Sequence, residues 1–201
     1  MNDCIETYRK EAHFEKGKWI PERELRIYLD DDPNGLNPRT DFDNFGHMLC
    51  FHKRYDLGDA TDLKSEDFSS WDEIRKYLSK KEKAVIIIPL YLFDHSGITI
   101  SADSGRFRAC DSMGWDWGQI GFIYCTREDV KKEFDEINPE NLKKAESILL
   151  AEVEDYDKYL TGDVYGYTLE EDGEEIDSCW GFYEIDHILE QTEMSKSDAV
   201  S

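Results

Sequence analysis

Basic residues are scarce in this 201-residue chain: 24 Lys and Arg stand against 46 Asp and Glu, a formal charge of −22. A folded domain with that balance repels nucleic-acid phosphates and anionic membranes, and it attracts basic surfaces at rates that fall as salt rises. Long hydrophobic runs are absent as well. The longest, Ala84 to Phe93, is about half a membrane span, and Met1 to Glu15 lacks the basic-then-apolar order of a signal peptide. A soluble protein of a reducing cytoplasm is therefore expected. Five cysteines (Cys4, Cys50, Cys110, Cys125, Cys179) are odd in number, widely spaced and without a CxxC pair, which argues against a disulfide framework and against a zinc ribbon. The DxDxDG order of a calcium loop and the HxH or HExxH spacing of a zinc site are missing too, so neither a metal nor another cofactor is expected.

What is present is material for a core. Apolar residues make up 39% and aromatics 13% of the chain, more than a disordered acidic segment carries. Leu25, Ile27 and Leu29 alternate with polar neighbours over Glu24 to Asp30 and predict a half-buried strand, followed by loop chemistry at Asp31-Asp32-Pro33-Asn34-Gly35. His47 to His52 reads as a more buried strand. Ser70 and Glu73 have the spacing of a capping box and predict a helix ending near Lys80. The β-branched run Ala84 to Phe93 predicts a strand whose Pro89 marks an edge, a bulge or an end. Ile98 to Ser101 is its hairpin partner, and Gly118 to Thr126 a further strand. Thr126 and Asp129 form a second box opening a helix to about Ile137, where Asn138-Pro139 interrupts. Leu142, Ala145, Leu149, Val153, Tyr156 and Leu160 recur at three- and four-residue steps and predict a long helix stopped by Gly162. Val164 to Leu169 and Glu174 to Phe182 flank Asp172-Gly173, a β-hairpin signal. The expectation is a single α+β domain over residues 1–192, with a mixed or mainly antiparallel sheet, about three helices and a C-terminal hairpin; residues 193–201 are expected to fray.

The charge is unevenly placed. From Asn141 to Ser201 there are 17 acids against four lysines. Glu146, Glu152, Glu154, Asp155 and Asp157 put five carboxylates into 12 residues of the long helix, one per roughly 3.6 Å at ~1.5 Å rise, close to the ~3.4 Å charge spacing of one DNA strand. Glu170, Glu171, Asp172, Glu174 and Glu175 add a run at the hairpin turn. Gly114-Trp115-Asp116-Trp117-Gly118-Gln119 is the most unusual local composition; Trp115 and Trp117 are read either as interface anchors or as caps on the core. Chemistry-bearing groupings are weak. Ser178-Cys179-Trp180 echoes a cysteine-protease pattern but sits in a predicted strand, and Asp94-His95-Ser96-Gly97 places three catalytic residue types on one turn, where a relay seldom forms. No catalytic residue is assigned, nor any metal ligand among His47, His52, His95, Asp43 and Asp94.

The blocks Pro89 to Gly97 (PLYLFDHSG), Trp115 to Tyr124 (WDWGQIGFIY), Tyr159 to Tyr167 (YLTGDVYGY) and Asp177 to Tyr183 (DSCWGFY) together resemble those of a family of small acidic proteins encoded by phages and mobile elements. The chain departs from the family pattern at Trp117 and in the Ser101 to Met113 region. The resemblance implies a gene acting in a bacterial cytoplasm, where small acidic products of this kind are often anti-restriction or anti-CRISPR inhibitors. Charge and resemblance together set the expectation of a non-enzymatic inhibitor. It would occupy the basic groove of a host nuclease such as a CRISPR effector as a phosphate mimic, with no direct contact to nucleic acid or membrane. Two alternatives remain: an enzyme on a small molecule, built from the Asp94 to Gly97 turn and the Trp115 to Gln119 loop, and a homo-oligomeric scaffold using the tryptophan loop.

Overall fold

Strands and helices among the described residues run in the order β1 (Cys4–Lys10), β2 (His13–Glu15), β3 (Lys18–Ile20), β4 (Arg23–Leu29), β5 (His47–Cys50), α1 (Trp71–Lys80), β6 (Ala84–Asp94), β7 (Ile98–Ser101), α2 (Ser104–Cys110), β8 (Trp117–Thr126), α3 (Arg127–Phe134), α4 (Pro139–Thr161), β9 (Tyr165–Glu171), β10 (Glu174–Phe182) and α5 (Ile185–Gln191). The computed structural model describes residues 3–30 and 35–200, so positions 31–34 of the predicted loop lie outside the described residues. Every strand pairing is antiparallel, and the class is α+β as expected. The residues gather into two compact units, 37–161 and the combination of 1–36 with 162–201.

The unit 37–161 is built on a four-stranded sheet ordered β5-β8-β6-β7. Its strands are apolar on both faces because both are covered. On one face Met48, Leu90, Leu92, Ile123 and Cys125 pack against Ala145, Leu149, Val153 and Tyr156 of α4, with Val130 of α3. On the other, Leu49 and Phe122 meet Ile74 and Leu78 of α1. Side chains buried this fully contribute about 1.5–3 kcal/mol each. Pro89 is accommodated because β7 pairs only with Tyr91 to Asp94 of β6, which leaves the Pro89 segment bonded on one side to β8, next to a bulge at Leu90/Tyr91.

Inside this unit one cation is fully enclosed. The Arg39 side chain is 1% exposed, and all its donors are used: Nε and Nη2 to Asp59 at 2.8 and 3.0 Å, Nη1 to Asn44 at 2.9 Å and Glu152 at 2.8 Å, Nη2 to the Gly46 carbonyl at 2.8 Å. Burial by itself would lower the Arg39 pKa; the bonds to Asp59 and then Glu152 outweigh it and hold the group above its ordinary value. The two acids are themselves committed. Glu152 accepts from the Phe45 N–H at 2.7 Å and the Gly46 N–H at 3.1 Å, and Asp59 accepts from the Met48 N–H at 2.7 Å. Leu149 lies so close to Gly46 that a Cβ there would fall 2.2 Å from its Cδ2. One ion pair thus ties α4 to the entry of β5.

The second unit is a four-stranded sheet ordered β1-β4-β9-β10, joining the two ends of the chain. Tyr8, Leu25, Ile27, Tyr167 and Leu169 form its buried face, covered by Ile188 and Leu189 of α5 and by Met194. The opposite face is polar, with Arg26 paired to Glu24 and to Glu170, each at 2.5 Å. There Trp180 lies over Gly166, where a Cβ would meet the indole at 1.9 Å. The hairpin turn matches its sequence: Asp172 and Gly173 have φ of 49° and 84°, the two positive angles of a type I′ turn.

Several expectations are corrected. Five α-helices replace about three, because α2 and α5 are seven residues each, too short to show a periodic stripe. The Arg127 helix ends at Phe134, where Asp135 turns left-handed at φ 61°. Asn138-Pro139 opens α4 instead of merely interrupting a helix: Pro139 is its first residue, and the Asn138 side chain accepts from the Asn141 N–H at 2.9 Å. In α1 the capping carboxylate Glu73 reaches Ser69, not Ser70. The segment 193–200, expected to fray, is held by buried Met194 and by the Val200 N–H bonding to the Thr7 carbonyl at 2.9 Å.

Replacing Arg39 by Met keeps the aliphatic stem and leaves Asp59 and Glu152 facing each other unpaired. This is expected to cost about 3–5 kcal/mol, read as a lowered urea midpoint; a loss below about 1 kcal/mol would show that the cluster does not hold this unit.

Candidate functional site

The five acids of α4 do not form one surface. Glu152 is consumed by Arg39 and the Phe45–Gly46 backbone. Asp157 accepts from the Thr99 hydroxyl at 2.5 Å, the Ile100 N–H at 2.7 Å and Arg106 at 2.7 Å, pinning β7 and the start of α2. Asp155 is half-buried and has a partner of its own. Only Glu146 and Glu154 are exposed. The physical reason is periodicity: a helix covering a sheet with a wide apolar stripe places flanking carboxylates where loop N–H groups and arginines reach them. A phosphate-like row along α4 is therefore absent.

At the hairpin the acids also divide. Glu170 pairs with Arg26, Glu171 with Arg23 at 3.3 Å, and the Asp172 carboxylate accepts from the Glu22 N–H at 3.1 Å. Glu174 and Glu175, on the edge strand β10, are exposed. Sequence reading missed their surroundings. The unit 1–36 with 162–201 holds 21 acids against seven Lys and Arg, net −14, whereas the larger unit 37–161 holds 25 against 17, net −8. From Gly162 onward Lys196 is the sole Lys or Arg. It pairs with Asp186 at 2.8 Å, and Glu193 lies 3.8 Å from Arg23, so exposed Glu190 adds to the acidic character of Glu174 and Glu175 in this unit.

The two tryptophans separate into the two roles considered for them. Trp117 is half-buried, donates Nε1–H to the Asp111 carbonyl at 2.8 Å and meets Tyr91 edge-on at 6.1 Å. Trp115 is 82% exposed, beside Met113 at 77%. Their loop is nevertheless tightly organised, because the Asp111 carboxylate accepts four consecutive backbone N–H groups, from Met113, Gly114, Trp115 and Asp116, at 2.6–3.1 Å. Those bonds, with Asp116 foremost, hold the Asp111 carboxyl below its ordinary range. Asp111 was not singled out from sequence; its signal is the Asp-x-x-Gly order of Asp111 to Gly114, in which a short carboxylate folds back on the following turn.

The remaining chemistry-bearing groups are spread apart. His47 faces Asp129 at 3.1 Å, His52 stacks on Tyr55 at 5.0 Å, and His95 Nδ1 meets Asp116 at 3.0 Å. Asp94 pairs with Arg54, so the Asp94 to Gly97 turn contains no relay. This turn does meet the tryptophan loop, through the Asp94 N–H to the Asp116 carbonyl at 2.8 Å. Cys50 and Cys125 are pushed up to about 12, chiefly by burial, which keeps them as unreactive thiols. Cys179 packs on the apolar face of β10.

Asp111 carries a pH dependence. A carboxyl whose folded pKa lies below its ordinary 3.8 supports the loop fully above that value and stops doing so as pH falls through the depressed one. Asp111→Ala is expected to loosen residues 113–116 at neutral pH, with amide order parameters falling from about 0.85 to below ~0.6; unchanged order parameters would refute its organising role. Comparison of the chain with family models, curated proteins and solved structures finds no match.

Proposed function

We propose that this protein acts by binding: it is an acidic inhibitor of a host nuclease, in the cytoplasm of a bacterium, and it competes for a basic nucleic-acid groove. The observation that carries this reading is the charge of the unit 1–36 with 162–201, net −14 after all seven of its Lys and Arg are counted, with Lys196 the sole Lys or Arg from Gly162 onward. Acids at the hairpin edge and around α5, not those of α4, stand in for phosphates. Channels that hold guide–target duplexes are lined with positive charge, which makes a CRISPR effector a physically suitable partner. The resemblance of the four sequence blocks to phage and mobile-element proteins supports the same class.

Trp115, in the unit 37–161, offers an apolar contact of its own to a protein partner. An exposed indole whose backbone is held by the Asp111 carboxylate costs little loop ordering on docking, a property of an interface anchor. No helix among the described residues is long and apolar enough to cross a membrane, which agrees with action in solution.

Glu174→Lys, Glu175→Lys and Glu190→Lys together alter none of the ion pairs that hold the fold. Against a candidate basic nuclease, isothermal titration is expected to show at least tenfold weaker binding for this triple variant. Undiminished affinity with an unchanged circular dichroism spectrum would sink the phosphate-mimic reading.

A further inference from the structure

The unit 37–161 contains a cleft of about 360 Å³ that none of the motifs above explains. It opens beside β5 and the start of the 59–63 loop. Its walls include the rings of His47, Tyr77 and Tyr124 and the carboxylates of Asp59, Asp62 and Glu82; no Lys or Arg lines it. Asp59 is already spent on Arg39, so Asp62, which is exposed, and Glu82, half-buried, are the carboxylates facing the space.

The walls have a definite chemistry. His47 stacks on Tyr124 with centroids 5.2 Å apart and planes at 30°, so the two rings brace one another in the wall of the cleft. The Glu82 carboxylate sits beside the Tyr77 hydroxyl and raises the phenol's pKa, and both residues line the cleft. Burial first, then Glu82, Asp59 and Asp129, push Tyr124 up to about 12. The volume falls at the small end of ligand cavities, enough for one side-chain head or a small amine.

We propose that this cleft binds a guanidinium group, stacked on the Tyr124–Tyr77 side and paired with Glu82 and Asp62. Delocalised planar cations stack on aromatic faces and shed water more readily than an ammonium does, and their fork of donors matches two acceptors. The group can come from an arginine of a protein partner or from a free guanidino compound. This site does not rest on the nuclease reading, since it lies in the less acidic unit and its probe is a small molecule.

The test is an NMR titration of the full 201-residue protein with agmatine, with N-acetyl-Gly-Arg-Gly-amide and with butylamine. Saturable shifts at residues 59–63, 77–82 and 124 are expected for both guanidinium probes, with butylamine at least fivefold weaker. Tighter binding of the peptide assigns the source as a partner's arginine, and tighter binding of agmatine assigns a free compound. Glu82→Gln keeps the size and shape of the side chain while removing the charge, and is expected to weaken both probes at least tenfold; Asp62→Asn, on an exposed loop, serves as a second variant that leaves the core intact. Absence of saturable shifts, equal binding of butylamine, or affinity unchanged in both variants overturns the proposal. Failure of the acidic variants to bind a nuclease would leave this result untouched.

Discussion

Arg39 organises the larger unit from within. A guanidinium taken almost wholly out of water must be matched donor for donor, and the match draws in Asp59, Asn44, Glu152 and the Gly46 carbonyl. Each partner then fixes something else: Glu152 the turn into β5, Asp59 the Met48 N–H of that strand and, through its position, one wall of the aromatic cleft. Tyr156 completes the arrangement by accepting the Gly58 N–H at 3.0 Å, its hydroxyl raised to about 12 mainly by burial. Removing one member leaves an uncompensated charge in a low-dielectric setting, which is why the cluster behaves as a unit.

This constraint changes what the acidity of the chain means. Carboxylates in such a protein serve two ends, and only contact geometry separates them. Glu152 and Asp157 act as internal fasteners between a helix and the loops and strand edges it covers. Asp111 does the same for a surface loop, spending its charge on four backbone N–H groups so that Trp115 is displayed in a fixed place. The acids left over gather in the unit that joins the two chain ends. In the function proposed above, the net −14 there is the field that draws in a basic partner, whereas the internal acids set shape.

How much of this was legible in the sequence follows from distance along the chain. The α4 stripe, the Thr126–Asp129 cap and the Asp172-Gly173 turn are local, so periodicity and turn chemistry reveal them. The pairing of β4 with β9 is not, because it joins segments about 140 residues apart with no local signal for register. Likewise Glu152 reads as one more helix acid until Arg39, 113 residues earlier, is seen beside it. Trp115 and Trp117 are near-identical in sequence context, and only the curl of the loop around Asp111 decides which indole packs and which is presented.

The central claim is that unneutralised acids of the chain-end unit occupy a groove made for phosphate. Competition is its most direct measure: a basic nuclease held on its duplex substrate, challenged with this protein across a salt series. The account predicts that protein and duplex exclude each other, with the inhibitor's affinity falling steeply and linearly in log salt, as expected for charges meeting a polyanion site. A stable ternary complex of nuclease, duplex and inhibitor, or an affinity indifferent to salt, would contradict it.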